Sequence, residues 1–401
     1  MITMAIFLCI YAGLSPRKAV KSMEVMNHML HGVFGDIPAH TTIRTWLAKL
    51  GLDVIKHKRM SLDKAYAIIM DASISVNGQQ MLLALKIPAD HTGKALTHAD
   101  EEVVGMAVAS SWPSEKVKEF CEEITEEQGK IPSYYLTDNG SNLSNAVSAI
   151  GVPHHRDISH SFALYLKKIY ENDDEFISFK KLVGNTKHLA LSELAYLMPP
   201  KQRSTARFMN MYPIIEWAKS MLDNFIKLNS YERYYFSFIQ RYAGFIEEMN
   251  DVLGTFTAIM EICKKDGLSI ENITKCKDIM KRTMLLGSER ERKVYQLVND
   301  YLDREGILLS TEYVIHHISS DLIESDFGIF KESMPSNKTT GFTESILYIP
   351  LRPKLHSVES IDNLDIAIIL KRTKINDVTI WKETNLKPNP LVKRLNILNT
   401  A

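Results

Sequence analysis

The first sixty residues repeat their apolar positions with helical spacing. Ser15-Pro16 supplies a hydroxyl cap and a proline at the first helical position, so a helix is expected to start there. A connection through Gly32, Gly35 and Pro38 leads to a second helix. In it Ile43, Trp46, Leu47 and Leu50 recur at i, i+3, i+4 and i+7, with Thr41 or Thr42 as cap and Gly51 as stop. From residue 65 the period changes. Ala65–Val76 and Gln80–Ile87 are apolar runs of strand length separated by Asn77-Gly78, a strong hairpin signal. A third run, Val103–Ser111, follows a polar loop rich in His, Asp and Glu. Ser114 opens a helix with Val117, Phe120, Cys121 and Ile124 on one face. Ser133–Thr137 reads as a fourth strand, Leu143 to Ile150 as a helix, and His154–Ile158 as a short fifth strand.

After Ser161 the pattern is helical as far as residue 312, in aromatic-rich amphipathic stretches such as Ile214–Leu228 and Ser237–Val252. Breaks are expected at Pro199-Pro200, Gly254 and Gly267. The last part holds a short apolar run, Ile346–Ile349, and then basic, Pro-containing sequence in which Ile366–Leu370 reads as one more strand. The predicted division is 1–60 helical, 61–161 the first part of an α/β core, 162–312 an all-helical insertion, 313–350 the end of the core, and 351–401 a tail. The order β-β-β-α-β-α-β implies a ribonuclease-H-like α/β core, a mixed five-stranded sheet interrupted by a large all-α insertion.

Composition narrows the partners only a little. At 401 residues, with 45% apolar and 24% charged positions, the chain has the make-up of an ordinary globular protein of two or three folded units. Net charge is zero, yet residues 1–60 carry eight Lys/Arg against three Asp/Glu, an excess of five. Two short helices with a basic bias resemble a helix-turn-helix. The outer face of the second offers Arg44, Thr45 and Lys49 to double-stranded DNA, against the plainer reading of a small helical bundle that touches nothing. Lys201, Arg203 and Arg207 form a second basic cluster, either a phosphate contact or a solvated loop. The four cysteines are scattered without a CxxC pair, so neither a zinc ribbon nor a disulfide framework is indicated. The apolar stretch Met4–Gly13 is too short to span a bilayer. A cytoplasmic, nucleoid-associated protein is therefore the default, with no membrane partner and no small-molecule substrate.

The chemistry lies in three carboxylates. Asp71 ends the run Tyr66–Met70, Asp138 ends Tyr134–Thr137, and Glu324 lies in Asp321–Phe327 on a late helix. Carboxylates from two neighbouring strand ends and one helix can hold a pair of magnesium ions roughly 4 Å apart. Each has a bland alternative: a turn residue at Asp71, a hairpin at Asp138-Asn139-Gly140, a solvated helix charge at Glu324. Against the hairpin, the segment after Gly140 has helical periodicity, so no partner strand arrives. Asp157 and His160 invite two readings, a core histidine bonded to Asp157 and bracing the site, or a contact to scissile DNA. A transition-metal site with His154 and His155 fits no standard zinc spacing. The pair His316-His317 carries no assigned role.

These residues resemble the acidic triad of DDE-type transposases of bacterial insertion sequences, with Asp71, Asp138 and Glu324 at the triad positions. The likeness runs from the helix-turn-helix to about residue 350. Asp157-Ile158-Ser159-His160 is similar to the C/D-x-x-H motif of Mutator- and hAT-like groups, which also carry a long helical insertion before the glutamate. Glu324 and Lys331 resemble the Glu-x6-Lys spacing in which the lysine approaches DNA. His317 and Ser320 stand where the insertion-sequence signature has Tyr and Arg, and Glu332 and Glu344 are the backup third carboxylates. The resemblance implies two Mg2+ ions (Mn2+ as substitute) held by the triad. It also implies cleavage at terminal inverted repeats, transfer to target DNA, and a homodimer or larger oligomer joining two ends. The rival readings are a domesticated derivative that binds DNA without cutting, and a host nuclease of the same fold. The latter class lacks the helical insertion.

Overall fold

The computed structural model describes residues 1–57, 64–91, 93–186, 192–201, 208, 211–311, 313–334, 341–387 and 390–399. The chain divides into two compact units, one of residues 1–90, 96–154 and 320–401, the other of 91–95 and 155–319.

The first unit opens with helices α1 (Ile2–Ile10), α2 (Pro16–Met29) and α3 (His40–Lys56). Ser15 caps α2 as its sequence requires, its hydroxyl accepting from the Lys18 amide at 3.4 Å. Two details of α3 differ from the sequence reading. Its N-cap is Ala39 with no side-chain cap, and it does not stop at Gly51. Gly51 sits inside the helix because the backbone of residue 347 passes against it, where a Cβ would overlap the Leu347 carbonyl oxygen. The glycine marks a close approach rather than a helix end.

The sheet is five-stranded, in the order β3-β2-β1-β4-β5. Its members are β1 (Tyr66–Val76), β2 (Gln79–Pro88), β3 (Glu102–Ala109), β4 (Tyr135–Thr137) and β5 (His154–Arg156), the last beginning where the first unit hands over to the second. β1, β2 and β3 run antiparallel and β4 runs parallel to β1. Asn77 and Gly78 both take positive φ, 52° and 65°, the backbone that a two-residue hairpin of matching twist needs. Side chains alternate across the sheet. Ile68, Met70, Leu82, Ala84 and Tyr135 face one side, covered by α4 (Ser114–Gln128) and α5 (Ser141–Ile150). Ala67, Ile69, Leu83, Leu85, Tyr134 and Leu136 face the other.

The second unit is helical: α6 (Ile158–Tyr170), α7 (Asp174–Thr186), α8 (Tyr212–Asp223), α9 (Ser230–Tyr235), α10 (Phe238–Arg241), α11 (Ala243–Lys265), α12 (Ile270–Thr283) and α13 (Glu289–Ile307). Its core is aromatic; Phe162 lies 4.3 Å from Phe256 and 5.9 Å from Tyr301, centre to centre. The expected break at Gly254 does not occur, since that residue lies inside α11. Gly267, with φ of 75°, does follow the helix end. Arg290 ties three segments together, reaching Asp173 at 3.0 Å, Glu175 at 2.7 Å and Glu248 at 2.8 Å.

The chain returns to the first unit as α14 (Asp321–Ser333), a 3-10 segment over Glu344–Leu351, α15 (Ile366–Arg372), α16 (Ile375–Asn385) and α17 (Pro390–Asn399). Ile366–Leu370, expected as a strand, is helical. Asp365 caps it by accepting from the Ile368 amide at 2.9 Å, and Ile366 and Ile369 are buried while Ile368 is 56% exposed. A three-residue spacing of buried positions satisfies a helix laid on α3, whereas a strand there would bring unpaired backbone groups with it. Among the described residues no helix is long and apolar enough to cross a membrane.

Candidate functional site

The register of β1 with β4 sets the centre of the site. Ile69 pairs with Leu136 and Met70 with Thr137. Asp138 follows Thr137 and so comes level with Asp71 on the neighbouring strand, about 4.8 Å away between backbones. Asp71 is not at a strand end, as the sequence reading had it. It lies inside β1, opposite Leu83 of β2, at the level where β4 stops. Directly opposed residues of an antiparallel pair share a face. Leu83 belongs to the face with Ile69 and Leu136, so Asp71 points to that side.

Helix α14 covers this same face. Leu322, Ile323, Phe327 and Phe330 pack into the cluster formed by Ile69, Leu83 and Leu136, and each fully buried apolar side chain stabilises the docking by roughly 1.5–3 kcal/mol. A helix anchored through residues 323, 327 and 330 carries Glu324 and Lys331 along one flank and Asp326 along the other. All three triad positions therefore belong to one unit, two on adjacent strands and one on the helix over their face. The close groups of three metal-capable side chains among the described residues do not include this trio, so its carboxylates are assembled by element rather than already clustered.

Local bonds fix Asp138. Its Oδ1 accepts from the Gly140 amide at 2.8 Å, just before α5, and a Cβ at 140 would crowd that oxygen. Thr137 Oγ1 donates to the Asp138 carbonyl at 2.8 Å and lies 2.8 Å from His154 Nε2. With the hydroxyl proton used on the carbonyl, His154 must donate from Nε2, which sets its tautomer. The sequence reading weighed His154 only as a metal ligand, on a spacing that fits no zinc pattern. This brace spans Thr137 to His154, and its only sequence signal was a polar residue at the last position of β4.

On the other flank of α14, Asp326 and Glu101 are buried and His98 beside them is half-buried, all in the first unit. His98 Nδ1 is 2.6 Å from Glu101 Oε1. Burial is the largest influence on Glu101 and pushes its carboxyl up to about 7 against the pull of His98; burial raises Asp326 as well. Nothing in the sequence singled out these three beyond the richness of the loop before β3 in His, Asp and Glu.

The remaining positions can be placed one by one. Asp157 and His160 belong to the helical unit, where Asp157 is the N-cap of α6. Its Oδ1 accepts from the His160 amide at 2.7 Å and lies 2.9 Å from His160 Nδ1. Asp157 and His160 are bonded to each other, which is the pairing the first of the two readings expected. His316-His317 is not idle. His316 Nδ1 is 2.8 Å from His155 Nε2, and His155 Nδ1 is 2.9 Å from Glu305 Oε2, all buried within the helical unit. His317 lies against His91, ring centres 4.6 Å apart and planes tilted by 35°.

The face of α3 expected to meet DNA is engaged inside its own unit. Arg44 donates to Glu344 at 2.6 Å, Lys49 donates to the Leu370 carbonyl, and Thr45 donates to the Thr41 carbonyl at 3.1 Å. A groove of about 270 Å³ lies there, between Arg44, Thr45, Glu344, Val378 and Lys382. Glu344, holding Arg44 and, at 3.4 Å, Lys382, is a structural anion rather than a third metal carboxylate. Glu332 and Lys331 are exposed on α14, and Lys201 is exposed in the helical unit, whereas Arg203 and Arg207 lie outside the described residues. No protein-family model matches the chain, and no curated protein matches it.

Proposed function

We propose that the protein is a DDE-type transposase, a metal-dependent DNA strand transferase. The observation that carries the reading is the β1–β4 register. It sets Asp71 and Asp138 side by side on the sheet face that α14, with Glu324, covers. Strand order β3-β2-β1-β4-β5, antiparallel at first and then parallel, supports a ribonuclease-H-like core. The helical unit, entering within β5 and ending just before α14, supports the insertion expected of this class. The α2–α3 pair supports a helix-turn-helix. Its exposed first turn at Thr41 and Thr42 is the end that enters a groove, once DNA phosphates compete with Glu344 for Arg44.

The donor set fits magnesium or manganese: carboxylate oxygens without thiolate, on rigid elements. Asp71, Asp138 and Glu324 would hold the ions. Bound there, they supply an activated water or 3′-hydroxyl and stabilise the departing 3′-oxygen of a phosphodiester. The chain's own part is positioning. The Gly140 amide and the Thr137–His154 brace hold Asp138 in place, Leu83 and Leu136 keep the carboxylate face dry beneath α14, and Lys331, seven residues after Glu324, offers a cation to the DNA backbone. Substrates are double-stranded DNA ends and a DNA target, in the cytoplasm, with two copies of the chain joining two ends.

The deciding experiment is cleavage of a supercoiled plasmid carrying the flanking inverted repeats, with Mg2+ or Mn2+. Wild type is expected to nick and join, and Asp138→Ala to lose more than about 100-fold in rate, since removing a ligand costs more than disturbing its support. If both leave the plasmid intact with either metal, while DNA binding persists, the protein is a binding derivative and the enzymatic reading is lost.

A further inference from the structure

The flank of α14 opposite Glu324 contains a second, independent donor set. Glu101 and Asp326 are 6% and 0% exposed, and each has one buried oxygen, Oε2 and Oδ2, with no hydrogen-bond partner among the described residues. An orphaned buried acceptor costs about 1–3 kcal/mol, more when charged, so two on residues this close to each other call for a missing partner. The neighbouring cations are already committed. Arg352 donates to the Asp326 carbonyl at 2.7 Å and to Oδ1 at 3.3 Å, and Lys86 and Lys354 are held by Glu102 at 2.6 and 2.9 Å. His98 completes the group. One ring nitrogen and one oxygen from each carboxylate all lie within 4.8 Å of one another.

We propose that His98, Glu101 and Asp326 form a structural binding site for a divalent transition metal of the zinc class. One nitrogen and two oxygens are a borderline donor set that suits Zn2+ better than Mg2+ or Ca2+. Donors at about 2.1 Å from a tetrahedral ion stand about 3.4 Å apart, so a pair at the 4.8 Å limit of this group would close by about 1.4 Å on binding. Ser325 Oγ, 3.4 Å from His98 Nε2, leaves Nδ1 as the ligating nitrogen and orients the ring. Binding displaces any proton on His98, and the single charge of Arg352 is offset by the two carboxylates. The ion would clamp α14 to the residue just before β3, and so fix the helix that carries Glu324, two residues from Asp326. The site does not depend on any DNA chemistry.

The test uses the full chain in an Asp71→Asn/Asp138→Asn/Glu324→Gln background, which removes the other proposed metal carboxylates as competing zinc ligands. After chelation and dialysis against Zn2+ alone, this parent is expected to retain one zinc per chain. Replacement by Co2+ is expected to give visible absorption bands characteristic of a nitrogen ligand. Asp326→Asn should lose both the zinc and the bands. So should His98→Gln, whose side chain is 30% exposed on a loop, with an unchanged circular dichroism spectrum as the check that the variant folds. Zinc retained equally by parent and variants, or by none of them, overturns the site. Plasmid cleavage by the unmodified chain is read separately, so the two proposals fail apart.

Discussion

The buried chain Glu305–His155–His316 makes the helical unit sensitive to acid in a calculable way. Glu305 can only accept, so His155 donates to it from Nδ1; a neutral His155 then accepts at Nε2, and His316 Nδ1 is the donor. Burial, reinforced by His155 and His317, lowers His316 to about 3 from an ordinary value of 6.5. A histidine whose folded pKa is depressed adds stability that is complete above pH 6.5 and drains away as pH falls toward 3, because the unfolded chain takes up a proton that the folded one refuses. Each pH unit in that window removes about 1.4 kcal/mol, so from pH 6.5 to pH 5 this one group costs about 2 kcal/mol. Of the four tryptophans, only Trp217 lies in the helical unit, and replacing Trp46, Trp112 and Trp381 by Phe makes its fluorescence a report on that unit alone. Urea titrations at several pH values would compare this protein with His316→Asn, whose amide can still donate near the Nδ1 position but cannot be protonated. The variant starts less stable at pH 7.5 by a packing cost that does not vary with pH. Its stability should then fall less steeply, by about 2 kcal/mol over the interval to pH 5. Parallel curves for the two proteins would refute the depressed pKa and the proton assignment together.

Two further outcomes test the packing. Gly51→Ala gains about 1 kcal/mol of helix propensity, yet its methyl meets backbone at Leu347, which no rotamer change relieves. A net loss of about 1–3 kcal/mol in the first unit is expected by thermal melting, and a raised Tm would contradict the close approach. Phe162→Ala, emptying a site 2% exposed and in ring contact with Phe256 and Tyr301, should cost the helical unit about 3–5 kcal/mol by Trp217 fluorescence. A loss below 1 kcal/mol would mean that the aromatic core is not packed as described.

What the sequence determined by itself was local. The apolar runs Ala65–Val76 and Gln80–Ile87, the Asn77-Gly78 turn and the Ser15-Pro16 cap each act within a few residues, so the strands, the hairpin and helix α2 were legible from composition and spacing. The facing of Asp71 was half-legible. Parity could say that it shares a side with Ile69, but which side α14 would cover depends on contacts from 250 residues further along the chain. Tertiary structure alone decided the rest. Gly51 read as a helix stop until the Leu347 backbone was seen beside it, and Ile366–Leu370 read as a strand until α3 offered a helix-sized surface in place of a strand partner. The salt bridges that occupy Arg44, the bond between His155 and His316, and the buried oxygens of Glu101 and Asp326 all join residues more than a hundred positions apart. Propensity and periodicity record what a segment prefers over one or two turns. Which polar groups meet in the interior follows from how the elements dock, and that information is spread over the whole chain.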